Sequence, residues 1–150
     1  MTTKAAVDGF LAERSIAVVG VSQRAHKFGQ VAYRELKAKG YRVFPVNRTA
    51  ECVAGDRCYP ALTALPEPVG AALIVVTPTE TERVVRDAAA AGIRRVWMQQ
   101  GSESEEAIRF CEENGIDEVH GHCILMFARP AAFFHRCHHW LWGVLGKLPS

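Results

Sequence analysis

The strongest constraint on the fold is an alternation. Short apolar runs rich in β-branched residues occupy positions 16–20 (Ile-Ala-Val-Val-Gly), 42–46 (Arg-Val-Phe-Pro-Val), 71–76 (Ala-Ala-Leu-Ile-Val-Val), 94–99 and 116–119. Runs without polar alternation have the pattern of strands buried on both faces. Between them the spacing changes to that of helices. Phe28, Val31, Ala32 and Leu36 follow the first run, and Gly40 supplies a stop. Thr79-x-x-Glu82 and Ser102-x-x-Glu105 have the form of capping boxes, and Gly92 and Gly115 end the helices they open. Strands joined by helices of about a dozen residues require right-handed crossovers and a parallel sheet covered on both faces. The expectation is an α/β fold, a single doubly wound domain with a five-stranded, mainly parallel sheet. Pro45 puts the second strand at an edge or ends it early. Ala6, Val7, Phe10 and Leu11 predict a helix before the first strand. At 133–145, Phe133, Cys137, Trp140 and Val144 share one helical stripe, with Phe134, Leu141 and Leu145 beside it, which predicts an extra C-terminal helix.

Size and charge narrow the function. A chain of 150 residues holds one core, so residues 1–150 are read as one domain. Eighteen basic against sixteen acidic residues, interspersed, give +2, so there is no bulk electrostatic case for nucleic acid. No apolar run approaches the roughly 20 residues of a membrane span, and residues 1–8 lack the apolar core of a signal peptide. Five cysteines without a CxxC pair fit reduced thiols and a cytoplasmic location.

Open parallel sheets bind ligands beyond the carboxyl ends of their strands, so the residues after Gly20, Val46, Val76, Gln99 and Val119 are expected on one crevice. Loop 20–29 (Gly-Val-Ser-Gln-Arg-Ala-His-Lys-Phe-Gly) joins a strand to a helix N-terminus, where free N–H groups and the helix dipole favour phosphate. Gly20 allows the turn, Ser22 offers a hydroxyl, and Arg24, His26 and Lys27 supply positive charge. The second glycine of G-x-G-x-x-G is replaced by Ser22, and no acid ends strand two; both omissions count against NAD. Asn47 and Arg48 stand there instead, a pair suited to a phosphorylated ribose, as in NADP and coenzyme A.

At this point the chain resembles the small CoA-binding, Rossmann-like proteins related to the N-terminal CoA-binding domain of succinyl-CoA ligase and ADP-forming acyl-CoA synthetases. The likeness runs through Ile16-Ala-Val-Val-Gly-Val-Ser22 with Lys27 and Gly29, Gly40-Tyr-Arg-Val-Phe-Pro-Val-Asn47, and Tyr59 with Leu62 and Leu65-Pro-Glu67. It continues through Val96-Trp-Met-Gln-Gln-Gly101, its most specific stretch, to Cys123. The resemblance implies coenzyme A held by its pyrophosphate at Gly20, Val21, Ser22 and Lys27, with the nucleotide reaching over Val46 and Asn47 and over Val76, Thr77 and Pro78. It also implies that ligase activity needs parts of longer chains, a phosphoryl-accepting histidine and a grasp domain, without counterpart in these 150 residues.

No Gly-x-Ser-x-Gly elbow, Walker loop or HExxH motif is present, and no nucleophile pairs with a base by spacing. The plainer expectation is a coenzyme A or acyl-CoA binding protein, regulatory or carrier, with no catalytic residue assigned. Two other readings stay open: an NADP-linked or redox enzyme on the same fold, and a metal-binding module. The latter rests on His120 and His122 beside Cys123, and on His135 and His139 at i, i+4 with His138 adjacent. The helical His face also reads as a solvated or subunit-facing surface, and no metal ligand is assigned. Cys123 reads either as a small buried residue or as a partner for the CoA thiol in a mixed disulfide. Trp142 and the aromatic C-terminal stripe hint at a homodimer surface.

Overall fold

The structure is a computed structural model and describes residues 2–22, 24, 27–49 and 51–128. The helix expected at 133–145, with His135, Cys137, His138, His139 and Trp142, lies outside the described residues, as does His26. In chain order the elements are α1 (Lys4–Leu11), β1 (Ser15–Val19), α2 (Phe28–Ala38), β2 (Arg42–Val46), β3 (Cys52–Val53), β4 (Asp56–Arg57), β5 (Ala71–Ile74), α3 (Pro78–Ala90), β6 (Arg95–Met98), α4 (Glu105–Glu113) and β7 (Asp117–Val119). Short 3-10 turns cover Leu62–Ala64 and Ile124–Met126.

The main sheet is five-stranded and wholly parallel, in the order β2-β1-β5-β6-β7. It is the Rossmann-like α/β architecture that the alternation predicts. Because each strand buries both faces, alternate residues supply two separate cores. Ile16, Val18, Leu73, Trp97 and Val119 face one layer with Phe10 of α1 and Tyr33 and Leu36 of α2. Ala17, Val19, Ile74, Val96 and Met98 face the other, with Val84, Val85 and Ala88 of α3 and Ala107 and Cys111 of α4. Each large apolar side chain fully buried in this way contributes roughly 1.5–3 kcal/mol. Trp97, the largest, is fully buried between Phe10 and Phe127 at ring-centroid distances of 5.4 and 5.6 Å.

Pro45 sits on edge strand β2, as its missing N–H requires. Phe44 and Val46 stand on the other side of the pleat, and Val46 accepts the Gly20 N–H at 3.0 Å on the β1 side. The Pro45 carbonyl faces outward and accepts from Tyr59 at 3.0 Å. Pro45 therefore removes no bond to β1.

Two local readings are corrected. Helix α3 begins at Pro78 with Thr77 as N-cap, not at a Thr79 capping box, because proline pre-sets the first helical turn. Helix α4 is capped by Ser104, whose hydroxyl accepts the Ala107 N–H at 3.1 Å; Ser102 is buried two residues earlier. The antiparallel hairpin β3–β4 was not read from sequence at all, since two-residue strands carry no periodicity.

Candidate functional site

Strand order alone locates a crevice. Strand β2 lies on one side of β1 and β5 on the other, so the carboxyl ends of β1 and β5 mark the switch point at which such sheets bind ligands. A cleft of about 260 Å³ opens there. Its lining comes from β1 (Val19), the loop after it (Gly20, Ser22), the end of β2 (Val46, Asn47, Arg48) and residues 60–62. Val76 and one face of α3 (Glu80, Arg83, Val84, Asp87) complete it. Of the ten residues singled out from sequence, Gly20, Ser22, Val46, Asn47, Arg48 and Val76 meet in this cleft. The ends of β6 and β7 do not line it, so the crevice is narrower than the expectation that five strand ends converge.

The Gly20 loop is shaped by backbone contacts. Gly20 has φ +97°, and a Cβ there would lie 2.1 Å from the Val75 carbonyl oxygen; one on Gly29 would lie 2.5 Å from the Gly20 oxygen. Only glycine at both positions lets α2 start this close to the end of β1. Gln30, buried on α2, donates to the Ser22 carbonyl at 2.9 Å, and its Oε1 has no hydrogen-bond partner among the described residues. Asn47 donates to the Val21 carbonyl at 2.7 Å and accepts from the Thr49 N–H at 2.9 Å. Asn47 thus ties the end of β2 to the loop. The Ser22 hydroxyl accepts the Arg24 N–H at 3.0 Å.

The remaining four residues sit around the cleft rather than on its lining. Val21 is fully buried in the α1–α2 core, so the loop can present it only through its backbone. Lys27 is the exposed N-cap of α2 and makes no side-chain capping bond; Thr77 likewise caps α3 without one, followed by exposed Pro78. Helices α1 and α4, by contrast, are capped by Thr3 and Ser104. The starts of α2 and α3 thus have no capping side chain. In α3 Pro78 has no N–H and Glu80 donates to the Thr77 carbonyl, so the first turn of α2, where only Gln30 and Val31 donate back to Lys27, is the better anion site.

Sequence reasoning did not place residues 60–62 or the α3 face at the site, although Leu62 is among the residues that carry the family likeness. Positions 80, 83, 84 and 87 share a helical face, which was the available signal, but charged helix positions ordinarily read as solvated. The wall at 60–62 follows β4, and that hairpin is pinned to α2. Asp56 accepts hydrogen bonds from the Tyr33 hydroxyl and from Lys37, the latter at 2.6 Å. These two donors hold the Asp56 carboxyl below its ordinary pKa, while burial and the adjacent carboxylate push the Tyr33 phenol up.

The β6–β7 end of the same edge is closed. The Trp97 indole donates to the His122 carbonyl at 3.0 Å, Ile124 donates to Gln99 Oε1 at 3.1 Å, and Thr81 donates to the Ser102 carbonyl at 2.6 Å. His120 Nδ1 lies 2.6 Å from the buried Glu118 carboxylate, and its backbone N–H donates to Thr2 Oγ1 at 2.9 Å. Burial, with the nearby His120, lowers the His122 pKa. Burial also pushes the Cys111 thiol up to about 12, which makes it inert. Cys58, Cys111 and Cys123 form no disulfide, and no cluster of three His, Cys, Asp or Glu suited to a metal occurs among the described residues. Among those residues no helix is long and apolar enough to cross a membrane.

A parallel sheet in this order, with an open crevice at its switch point, defines a Rossmann-like domain. Residues 14–129 match the CoA binding domain family, and the chain belongs to it. The ADP-forming acetate–CoA ligase II of Archaeoglobus fulgidus is 30% identical over 101 residues, 66% of this chain and 15% of that protein. A conserved hypothetical protein of Pyrococcus furiosus superposes with a TM-score of 0.71 at 38% identity, over 74% of this chain and 96% of its own. The dinucleotide-forming acetyl-coenzyme A synthetase 1 of Ca. Korarchaeum cryptofilum superposes with a TM-score of 0.63 at 30% identity, over 70% of this chain and 25% of its own. The match therefore spans a small part of the long synthetases and nearly all of the short archaeal protein.

Proposed function

We propose that the chain binds coenzyme A or an acyl-CoA by its nucleotide end, in a binding or carrier role. The observation that carries this reading is a cleft at the switch point of a chain that belongs to the CoA binding domain family. The cleft is smaller than the roughly 300–1,000 Å³ that holds a whole drug-sized ligand, so it takes one end of a long one and leaves the pantetheine arm outside. The half-buried Val76, with the edges of the buried Val46, Leu62 and Val84, offers an apolar surface for a base, with Arg48 at the rim for a phosphate. The diphosphate lies against the backbone of Gly20, Val21 and Ser22 and the uncapped start of α2, with Lys27 beside it. The uncapped start of α3 at Thr77 and Pro78 faces the same ligand.

Calorimetry on one sample titrated in turn with coenzyme A, NADP and zinc tests this reading. The expected result is saturable binding of coenzyme A alone. Silence towards coenzyme A with tight NADP or zinc binding overturns it.

A further inference from the structure

The cleft carries four charges at its mouth, and they cancel. Arg48 follows β2, while Glu80, Arg83 and Asp87 stand at i, i+3 and i+7 on one face of α3. Arg48 Nη1 lies 3.5 Å from Glu80 Oε1, and Arg83 Nη1 lies 3.7 Å from Asp87 Oδ2. The Arg83 pair joins adjacent turns of one helix. The Arg48 pair is different in kind, because it spans the cleft from β2 to α3 and joins opposite walls.

Arg48 also stands where open α/β domains read the ribose: just after strand two, an acid selects a free hydroxyl and an arginine accommodates a phosphate. Here both groups are present, the arginine on one wall and an acid reaching it from the other. With side chains 67% and 40% exposed, the Arg48–Glu80 pair is weak and exchangeable. A phosphate monoester carries about −1.5 to −2 charge and offers oxygens matched to the guanidinium fork, so it can displace a single carboxylate. It then lies close to Glu80, which opposes it by like charge.

We infer that Glu80 is a specificity-determining residue: it holds Arg48 in the empty cleft and sets how strongly the cleft prefers a nucleotide with a ribose phosphate over one without. The inference rests on the reading of the cleft as a coenzyme A nucleotide site. Coenzyme A and dephospho-coenzyme A differ only in that phosphate, so their affinity ratio is the readout. In Glu80→Gln the ratio in favour of coenzyme A should rise about two- to fivefold, through tighter coenzyme A binding with dephospho-coenzyme A unchanged. In Arg48→Ala the ratio should fall to one or below, because Glu80 is left to oppose the phosphate alone, and adding Glu80→Gln to Arg48→Ala should bring it back to about one. Glu80 also sits in the first turn of α3, where an acid steadies the helix; loss of that role alone would move both ligands equally. Equal shifts, or no shift, in Glu80→Gln overturn the inference while coenzyme A binding stands. Failure of the wild-type protein to bind either ligand overturns the underlying reading and the inference with it.

Discussion

At the β1–β5 end of the sheet's carboxyl edge, polar groups face an open cleft and are neutralised by exposed, exchangeable ion pairs. At the β6–β7 end of the same edge, Gln99, Thr81, Ser102, Glu118 and the Trp97 indole are buried and hydrogen-bonded to one another's neighbourhood. Both ends have the same strand direction, so strand ends alone do not make a site. What differs is where the hydrogen-bonding capacity goes. A ligand entering the closed end must break buried bonds, leaving groups unsatisfied at about 1–3 kcal/mol each. At the open end it exchanges one weak surface partner for another.

Substitutions at the two ends should have separable effects on stability and on binding. Trp97→Ala at the closed end should cost about 3–5 kcal/mol of unfolding free energy, read from urea denaturation, because it removes the largest buried side chain. Coenzyme A affinity of the folded variant should be unchanged; a loss would show that the two ends are not independent. Gly20→Ala at the open end should cost about 3 kcal/mol, since the residue combines a positive φ with a Cβ directed at the Val75 carbonyl. Here affinity should fall as well, because the same loop faces the ligand. Lys27→Ala should weaken coenzyme A binding by about 1–3 kcal/mol while leaving the unfolding midpoint in place. An unaltered affinity would move the anion away from the start of α2.

The smallest effect expected is in the pH dependence of stability, and it belongs to the closed end. Burial depresses the His122 pKa, so the unfolded chain binds the proton more readily than the folded one. Stability from this group is complete above the ordinary imidazole value near 6.5 and falls as pH drops below it. Asp56 adds a second, more acidic decline, beginning at the ordinary carboxylate value and continuing down through its depressed folded pKa. Urea unfolding between pH 7 and 5 should show a shallower slope in His122→Gln than in wild type.

The strands of the main sheet were legible because burial on both faces leaves an unmistakable apolar run; 16–20 and 42–46 match β1 and β2 to within a residue. The hairpin at 52–57 was not, because its order comes from the Tyr33–Asp56–Lys37 contact with a distant helix rather than from local pattern. The strand-end residues Gly20, Val46 and Val76 could be placed on one cleft from topology alone. Glu80 and Asp87 could not, since an acid on a helix reads as solvated until the opposite wall is known.

The pin between Asp56 and α2 has a mechanical consequence. It ties the segment leading to residues 60–62, which line the cleft, to a helix that does not line it, so the position of that wall depends on α2. The width of the cleft then depends on a contact that lies outside its lining. Substitutions at Tyr33 or Asp56 can alter which ligands fit without altering any group that meets them.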